Sequence, residues 1–345
     1  MKKLTMAVIA IIAVIIVASG IFLYYQGQSA PTPSPSPSLT ATPTASPNPS
    51  PTQTPSPFPI SIPDDTGYVL NLTAYPQRIV SLSPANTQVL FHVGAGSNVV
   101  GVTDYDHYPY NFTAWIEAGN MSSIGNYYQP AIEPIVTLNP DLVVASLGSI
   151  DAAGQLRGLG YNVLVLNPTN LDGVLNNMLT VGKATGHDAE AQAAVAGLRQ
   201  RIVAVVSGVA NATTRPKVYH EIWSDPYMSC GNGTFVNDVI KLAGGQNIFE
   251  NATDAYPVVS AEAIVSQNPD VMVFPTQMGV DSFWGDYSTV SARDGWSSIN
   301  AVKNGKMFTV SGDIIDEPGP RQVDSLEIMA KILHPEIFGA YTDAK

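Results

Sequence analysis

Glu133 to Val144 reads EPIVTLNPDLVV and Glu262 to Val273 reads EAIVSQNPDVMV, so one stretch occurs twice, 129 residues apart, with seven identical positions. The first half of each copy has the apolar spacing of a short helix, and the second half is an apolar run typical of a strand. The Asn-Pro pair between them predicts the end of the helix, because proline cannot continue a helix and biases the preceding residue towards an extended backbone. Each copy therefore predicts one helix-strand unit.

Both copies carry a carboxylate and an aromatic ring at matching positions. Glu133 and Glu262 lie in the first turn of their helices, where a carboxylate stabilises the free N–H groups and the positive end of the helix dipole. For either glutamate alone, that stabilisation is a sufficient explanation. Tyr127 and Tyr256 each stand six residues before a glutamate. The duplication predicts two lobes with an equivalent ring and an equivalent carboxylate, as in a two-lobed clamp.

The sequence around the first copy alternates between strand and helix patterns. The segment PQRIVSLSPANTQVLFHVGAGSNVVGV, residues 76–102, predicts a strand at 78–82, a helix at 84–93 and a strand at 99–102. Such alternation predicts a parallel sheet. The glycines of Gly94-Ala95-Gly96 follow the helix, so they fit a helix C-cap better than a nucleotide-binding loop.

An Ala-rich segment separates two such series. Its apolar residues have helical spacing, and we predict one long helix with a break near Gly186. The second series begins with a strand at Lys217 and ends with a helix at about 323–333. These patterns divide the folded part into three, which are an N-terminal α/β lobe (64–170), an inter-lobe backbone helix (171–210) and a C-terminal α/β lobe (211–345).

Residues 1–28 predict a membrane segment. Lys2 and Lys3 precede an uncharged apolar run of 22 residues, Leu4 to Tyr25, which is long enough to cross a bilayer of about 30 Å with the basic flank inside. A cleaved signal peptide is the alternative, but the run is longer than a usual signal core, so an uncleaved anchor is favoured. Lipoproteins carry a cysteine directly after such a segment, whereas the single cysteine here is Cys230.

The composition of the next segment and the charge of the chain indicate a tethered, exported domain. Residues 29–63 are almost wholly Pro, Ser, Thr and Ala, a composition that cannot bury a core and predicts an extended tether. The formal charge of −12 disfavours nucleic acid as a partner. Six glycosylation sequons fit an exported surface glycoprotein of archaeal type. They begin at Asn71, Asn111, Asn120, Asn211, Asn232 and Asn251.

These segments, together with GVTDYDHYP and AGGQNIFENATDAYPVVSAEAIVSQNPDVMVF, resemble the class III, or helical-backbone, substrate-binding proteins of ABC importers, and above all their cobalamin-binding members. The similarity extends from about Tyr75 to Phe338. It implies an α/β fold of two Rossmann-like lobes joined by a long rigid helix, with the ligand in the cleft between them. It also implies a permease dimer and its ATPase as partners, and no cofactor besides the transported ligand.

The resemblance assigns roles to individual residues. It implies that Glu133 and Glu262 dock to arginines of the permease. It places Tyr127 and Tyr256 against the ligand, where the cobalamin-binding member has Trp. It places Arg321 near the ligand, although a surface arginine at a helix start fits equally well. The remaining ligand-binding candidates are the loop aromatics Tyr105, Tyr128, Trp223 and Tyr227, with Asp313 and Asp316 as weaker ones.

Other functional classes have less support. The five histidines are scattered, and we find neither a hydrolase or zinc-peptidase motif nor a phosphate loop, so an enzyme is disfavoured. His107 or His220 could coordinate a metal complex axially, but a structural role is favoured for each, and no metal site is predicted. An adhesive surface glycoprotein would leave the duplicated carboxylate and ring unexplained.

The sequence therefore predicts a membrane-tethered, extracytoplasmic substrate-binding protein for a corrinoid such as cobalamin. Arg321 is the only obvious basic group for the cleft, which favours a nearly neutral ligand over a strongly anionic catecholate siderophore. A ferric hydroxamate siderophore or haem is the alternative ligand.

Overall fold

The computed structural model describes residues 58–276 and 287–342. The predicted anchor and all of the predicted tether up to residue 57 lie outside these ranges. Among the described residues, the helices are too short or too polar to cross a membrane.

The first lobe alternates strands and helices, as predicted. Its elements are β1 (Ile60–Pro63), β2 (Val69–Leu72), β3 (Ile79–Ser81), α1 (Pro84–His92), β4 (Val99–Val102), α2 (Phe112–Glu117), β5 (Ser122–Ser123), α3 (Ile132–Thr137), β6 (Leu142–Ser146), α4 (Ile150–Gly158) and β7 (Val163–Leu166). The last five strands form a parallel sheet in the order β5-β4-β3-β6-β7. Both faces of this sheet are covered, because Leu142 and Val144 of β6 enter one core and Val143 and Ala145 enter the other.

Strand β1 shows that the predicted tether boundary, residue 63, is too late. Ile60–Pro63 pairs antiparallel with β2, and Ile62 packs in the core with Leu70 and Leu72. The isoleucines at 60 and 62 supply the alternation of a half-buried strand, which the surrounding prolines obscure in the sequence.

The link between the lobes also differs from the prediction. The sequence predicts one long helix with a break, whereas the structure has two helices, α5 (Leu171–Thr185) and α6 (Asp188–Val209). Gly186 between them has a φ of 78°, a left-handed conformation that glycine adopts without strain and that ends α5. The break was predicted correctly, but periodicity does not reveal that the chain turns back.

Contacts at the two ends of the pair show the reversal. Leu171 at the start of α5 and Val205 near the end of α6 both belong to a core of the second lobe. Gly186, at the turn, lies against Tyr75 of the first lobe. Helix α6, with 22 residues and a length of about 33 Å, therefore connects the two lobes, and α5 packs beside it.

The second lobe repeats the architecture on a smaller sheet. Its elements are β8 (Lys217–His220), β9 (Trp223–Ser224), β10 (Tyr227–Met228), α7 (Phe235–Leu242), β11 (Gln246–Asn247), α8 (Ala261–Gln267), β12 (Val271–Thr276), α9 (Tyr287–Ser291), α10 (Asn300–Lys303), β13 (Met307–Ser311), α11 (Gly312–Ile315), α12 (Gln322–Leu333) and α13 (Pro335–Phe338). Four strands form a parallel sheet in the order β11-β8-β12-β13.

The two sequence copies form equivalent helix-strand units, α3-β6 and α8-β12. Asn139 and Asn268 end the helices with φ of 47° and 49°, in the left-handed region instead of the extended one predicted before proline. Asparagine reaches this region more readily than other residues with a side chain. A cation at the start of a neighbouring strand also binds a carbonyl at the end of each helix, since Arg78, just before β3, donates to the Leu138 carbonyl and Lys217 of β8 donates to the Gln267 carbonyl.

The close contact of α5 with α6 allows a matched test. A Cβ at Gly182 would lie 2.4 Å from the Cβ of Ala191, whereas one at Gly197 in α6 would meet nothing within 4 Å. We expect Gly182→Ala to lower the free energy of unfolding by about 1–3 kcal/mol through overpacking. Gly197→Ala should raise it by up to about 1 kcal/mol, because alanine has the higher helix propensity. Urea denaturation of the soluble domain, residues 58–345 without the predicted anchor and the tether up to residue 57, measures both free energies of unfolding. Equal effects of the two substitutions would contradict the packing described.

Candidate ligand-binding site

A cavity of about 610 Å³ lies between the two lobes. The first lobe lines it with residues at or just after the carboxyl ends of β3 and β6, such as Ser83 and Ser146. The second lobe lines it with residues at or just after the carboxyl ends of β8 and β12, such as Ile222 and Thr276. In each sheet these two strands are neighbours whose connections lead to opposite sides. Ligands of open parallel sheets bind at this switch point, outside the carboxyl ends of the strands. The cavity thus occupies the switch points of both sheets at once.

Four of the predicted ligand-binding aromatics line the cavity, two from each lobe. They are Tyr127, Tyr128, Trp223 and Tyr256. The last three are 62%, 41% and 46% exposed, so aromatic area is available in the cleft. The rings of Tyr127 and Tyr128 are 3.9 Å apart, which joins them into one surface. Opposed aromatic surfaces of this kind suit a large flat ligand.

Two other predicted aromatics, Tyr105 and Tyr227, do not belong to the described lining of the cavity. Tyr105 packs edge-on against Tyr127 at 5.5 Å between ring centres. Tyr227 packs against the buried Trp296 at 5.6 Å, and the Arg293 guanidinium lies 5.2 Å from its ring. Both rings can position their neighbours, and direct ligand contact by either stays a prediction.

Arg321 lies beside the cavity with its guanidinium bound to the protein. Its Nε donates to Gln88 Oε1 at 3.2 Å, and its Nη2 is 3.8 Å from Glu317 Oε2. The guanidinium carbon is 4.3 Å from the ring centre of Tyr108 in the first lobe. Arg321 therefore joins the lobes, and its predicted contact with ligand stays untested.

The charged groups on the cavity surface are acidic. Asp316 and Glu317 line the cavity, and no Lys, Arg or His does so among the described residues. Burial, and next the charge of Asp313, raises the pKa of Glu317 to about 8, although Arg321 opposes this. Asp316 Oδ1 is 2.8 Å from Nε2 of the buried His220. This contact supports the structural role favoured for that histidine.

Sequence reasoning missed Glu317 and the loop after β6. The spacing of Glu317, four residues before Arg321, was the signal available in the sequence. The hydrogen bond that its carboxyl accepts from Gln88 of the other lobe could not be read from that spacing. Leu147 and Gly148 line the cavity because they directly follow β6. In the described ranges, no group of acidic, histidine or cysteine side chains could hold a metal ion.

Glu133 and Glu262 occupy equivalent places on the two lobes. Each is the second residue of its helix and is exposed, and each helix follows a tyrosine that lines the cavity. The backbone N–H of Glu262 itself, followed by the hydroxyl of Ser260, lowers the pKa of the Glu262 carboxyl. The geometry leaves a carboxylate on each lobe free for a basic partner.

Comparison with known proteins identifies the family. Residues 79–313 match the family model described as periplasmic binding protein. The chain belongs to the periplasmic binding protein family. An uncharacterised ABC transporter substrate-binding lipoprotein of Bacillus subtilis is 30% identical over 81% of this chain and 87% of its own length. A cobalamin-binding protein of Halobacterium salinarum is 33% identical over 80% of this chain and 74% of its own length.

Solved structures share the fold. The periplasmic haem-binding protein of Roseiflexus matches with a TM-score of 0.66 and 24% identity, over 75% of this chain and 98% of that one. The protein is thus a periplasmic-binding-protein-type substrate-binding protein of an ABC importer. Such proteins act outside the cytoplasm, bind small solutes and work with permease and ATPase components, and the family consists of solute-binding proteins.

Glu317 should make stability depend on pH. Its folded-state pKa of about 8 lies above the ordinary value of 4.5, so the folded protein retains a proton that the unfolded chain has released. The contribution of this proton to the free energy of unfolding is fully present below about pH 4.5 and is lost as the pH rises through about 8. We expect Glu317→Gln to reduce the loss of unfolding free energy between pH 5 and pH 9, measured by urea denaturation. Glu117→Gln, at an exposed position, should leave that loss unchanged, and an equal loss in all three proteins would refute the assignment.

Proposed function

We propose that this protein captures a corrinoid such as cobalamin outside the cell and delivers it to an ABC permease. The observation that carries the proposal is the cavity between the lobes, where aromatic rings from both sides face a space without a basic residue among its described lining. A corrinoid is large, has flat faces and carries amide side chains, so it can cover the rings without needing a cation. The cobalamin-binding relative from Halobacterium supports the same ligand class.

The acidic residues on the cavity wall distinguish between the alternative ligands by their charge. Asp316 would repel the carboxylates of haem or the charge of a catecholate siderophore in a cleft of low dielectric, and Glu317 would add to this repulsion once the pH exceeds about 8. A neutral ferric hydroxamate escapes this repulsion and is the second candidate ligand. Haem stays a weaker alternative, favoured by the fold alone.

We propose that residues 1–28 anchor the protein in the cytoplasmic membrane and that the Pro/Ser/Thr-rich segment holds the binding domain beyond the membrane surface. The domain starts by Ile60, where β1 begins. The asparagines of all six sequons are exposed, which is compatible with glycans on the same surface protein.

The aromatic surface can be tested with ligand. We expect the soluble domain to bind cyanocobalamin saturably, followed by tryptophan fluorescence, and to bind haemin and a ferric hydroxamate more weakly. Tyr127→Ala and Tyr256→Ala should each weaken binding by about tenfold or more, because each removes a ring from one wall. Tyr110→Ala, at an exposed tyrosine outside the cavity lining, is the control. Tight binding of the hydroxamate alone would replace the corrinoid, and no response to any of the three would refute the ligand class.

Docking can be tested separately from capture. We propose that Glu133 and Glu262 pair with arginines of the two permease subunits. The double variant Glu133→Ala/Glu262→Ala should retain cyanocobalamin affinity and lose most uptake by reconstituted transporter, whereas Glu117→Ala should retain both. Normal uptake by the double variant would exclude the docking role.

A further inference from the structure

One buried amide connects the two lobes beside the cavity. Gln88 of α1 in the first lobe is 2% exposed, and its Nε2 donates to Glu317 Oε2 in the second lobe. Its Oε1 accepts from Arg321 Nε at 3.2 Å. The two partners are 229 and 233 residues further along the chain, so both contacts depend on the relative position of the lobes.

The amide stands between a base and an acid that could otherwise pair directly. Arg321 Nη2 and Glu317 Oε2 are 3.8 Å apart, beyond the roughly 2.7–2.9 Å of a charge-assisted hydrogen bond. Tyr108 restrains the guanidinium from the first lobe at 4.3 Å. With Gln88 in place, the Glu317 carboxyl stays on the cavity wall, where a ligand would meet it.

The groups around Glu317 come from both lobes. Asp313 and, from the first lobe, Asp106 oppose its ionisation through their charges, as does burial. Arg321 and the hydrogen bond from Gln88 favour the ionised carboxylate. The hydroxyl of Tyr127 also interacts electrostatically with Glu317. Among these groups, Gln88 favours ionisation of Glu317 without carrying a charge itself.

We propose that Gln88 is a positioning residue that holds Glu317 and Arg321 in place across the cleft and thereby sets the pH range over which the cleft accepts its ligand. A ligand that covers Glu317 removes water from it, and this penalises the charged form. Affinity therefore falls as the pH rises through the ionisation of Glu317. The inference rests on the proposed function only in using a corrinoid as the probe.

The first measurement needs no ligand. Carbon-13 NMR of the glutamate side-chain carboxyls follows the titration of Glu317, assigned by its absence in Glu317→Gln. We expect Gln88→Met, which keeps the size of the side chain and removes both hydrogen bonds, to raise the Glu317 midpoint by about one to two pH units. Gln77→Met, the same change at an exposed position of the first lobe, should leave the midpoint unaltered. Gln88→Glu keeps an acceptor for Arg321 and should also raise the midpoint, by like-charge repulsion, which covers the case that Gln88→Met does not fold.

The second measurement is cyanocobalamin affinity between pH 6 and pH 9.5. Gln88→Met should bind about as tightly as the wild-type protein at pH 6, where Glu317 is protonated in both, and up to about tenfold more tightly at pH 9, because the pH at which its affinity falls moves upward with the NMR midpoint. In a Glu317→Gln background the same substitution should have a much smaller effect, because the positioned carboxyl is absent. An unmoved NMR midpoint in both Gln88 variants, or an equal change of the affinity profile with pH in the two backgrounds, would overturn the positioning role. If the wild-type protein binds no cyanocobalamin, the proposed ligand fails, and the NMR midpoint alone decides the role of Gln88.

Discussion

The packing of α5 against α6 is the contact on which the position of the cleft depends, because both lobes are built on this helix pair. The absence of a side chain at Gly182 lets the backbone approach Ala191 closely. Along α6, Val195 and Leu198 enter a core of the first lobe, while Val205 enters a core of the second. One rigid element thus carries apolar groups of both lobes, and the carboxyl ends of both sheets converge on one cavity.

The sequence repeat contributes the second constraint, which is local. In each copy a short helix ends at an asparagine with positive φ, proline follows, and the next strand is an interior strand of its sheet, paired on both sides. The aspartate after each proline accepts backbone N–H groups at the start of the neighbouring strand, Asp141 from Gln77 and Arg78, and Asp270 from Lys217. Helix start, carboxylate and preceding aromatic ring are thereby placed alike in both lobes.

Features fixed by neighbouring residues could be predicted from the sequence, and features that need distant contacts could not. The predicted strands and helices around residues 78–102 agree with the structure to within two residues, since apolar period and proline position act locally. The reversal of the chain after Gly186 was missed, because helical periodicity does not show whether the second helix continues along the first or packs back against it. Strand β1 was assigned to the tether because prolines surround its two isoleucines. Tyr105 was grouped with the lining aromatics because sequence proximity does not distinguish a ring on a cavity wall, such as Tyr127, from the ring that packs against it.

Charge in the cleft is satisfied by the protein before a ligand arrives. Asp316 faces His220, and Glu317 accepts from Gln88, so neither carboxyl needs a cation from the ligand. The Asp316 carboxylate still repels negative charge, and so does Glu317 once it ionises, because a cleft of low dielectric screens poorly. The cleft then disfavours anionic ligands because Asp316 and Glu317 are held on its wall. It binds a flat ligand because that ligand covers the exposed aromatic rings. The two effects use different residues, so a change in ligand charge preference need not alter the aromatic surface that provides the affinity.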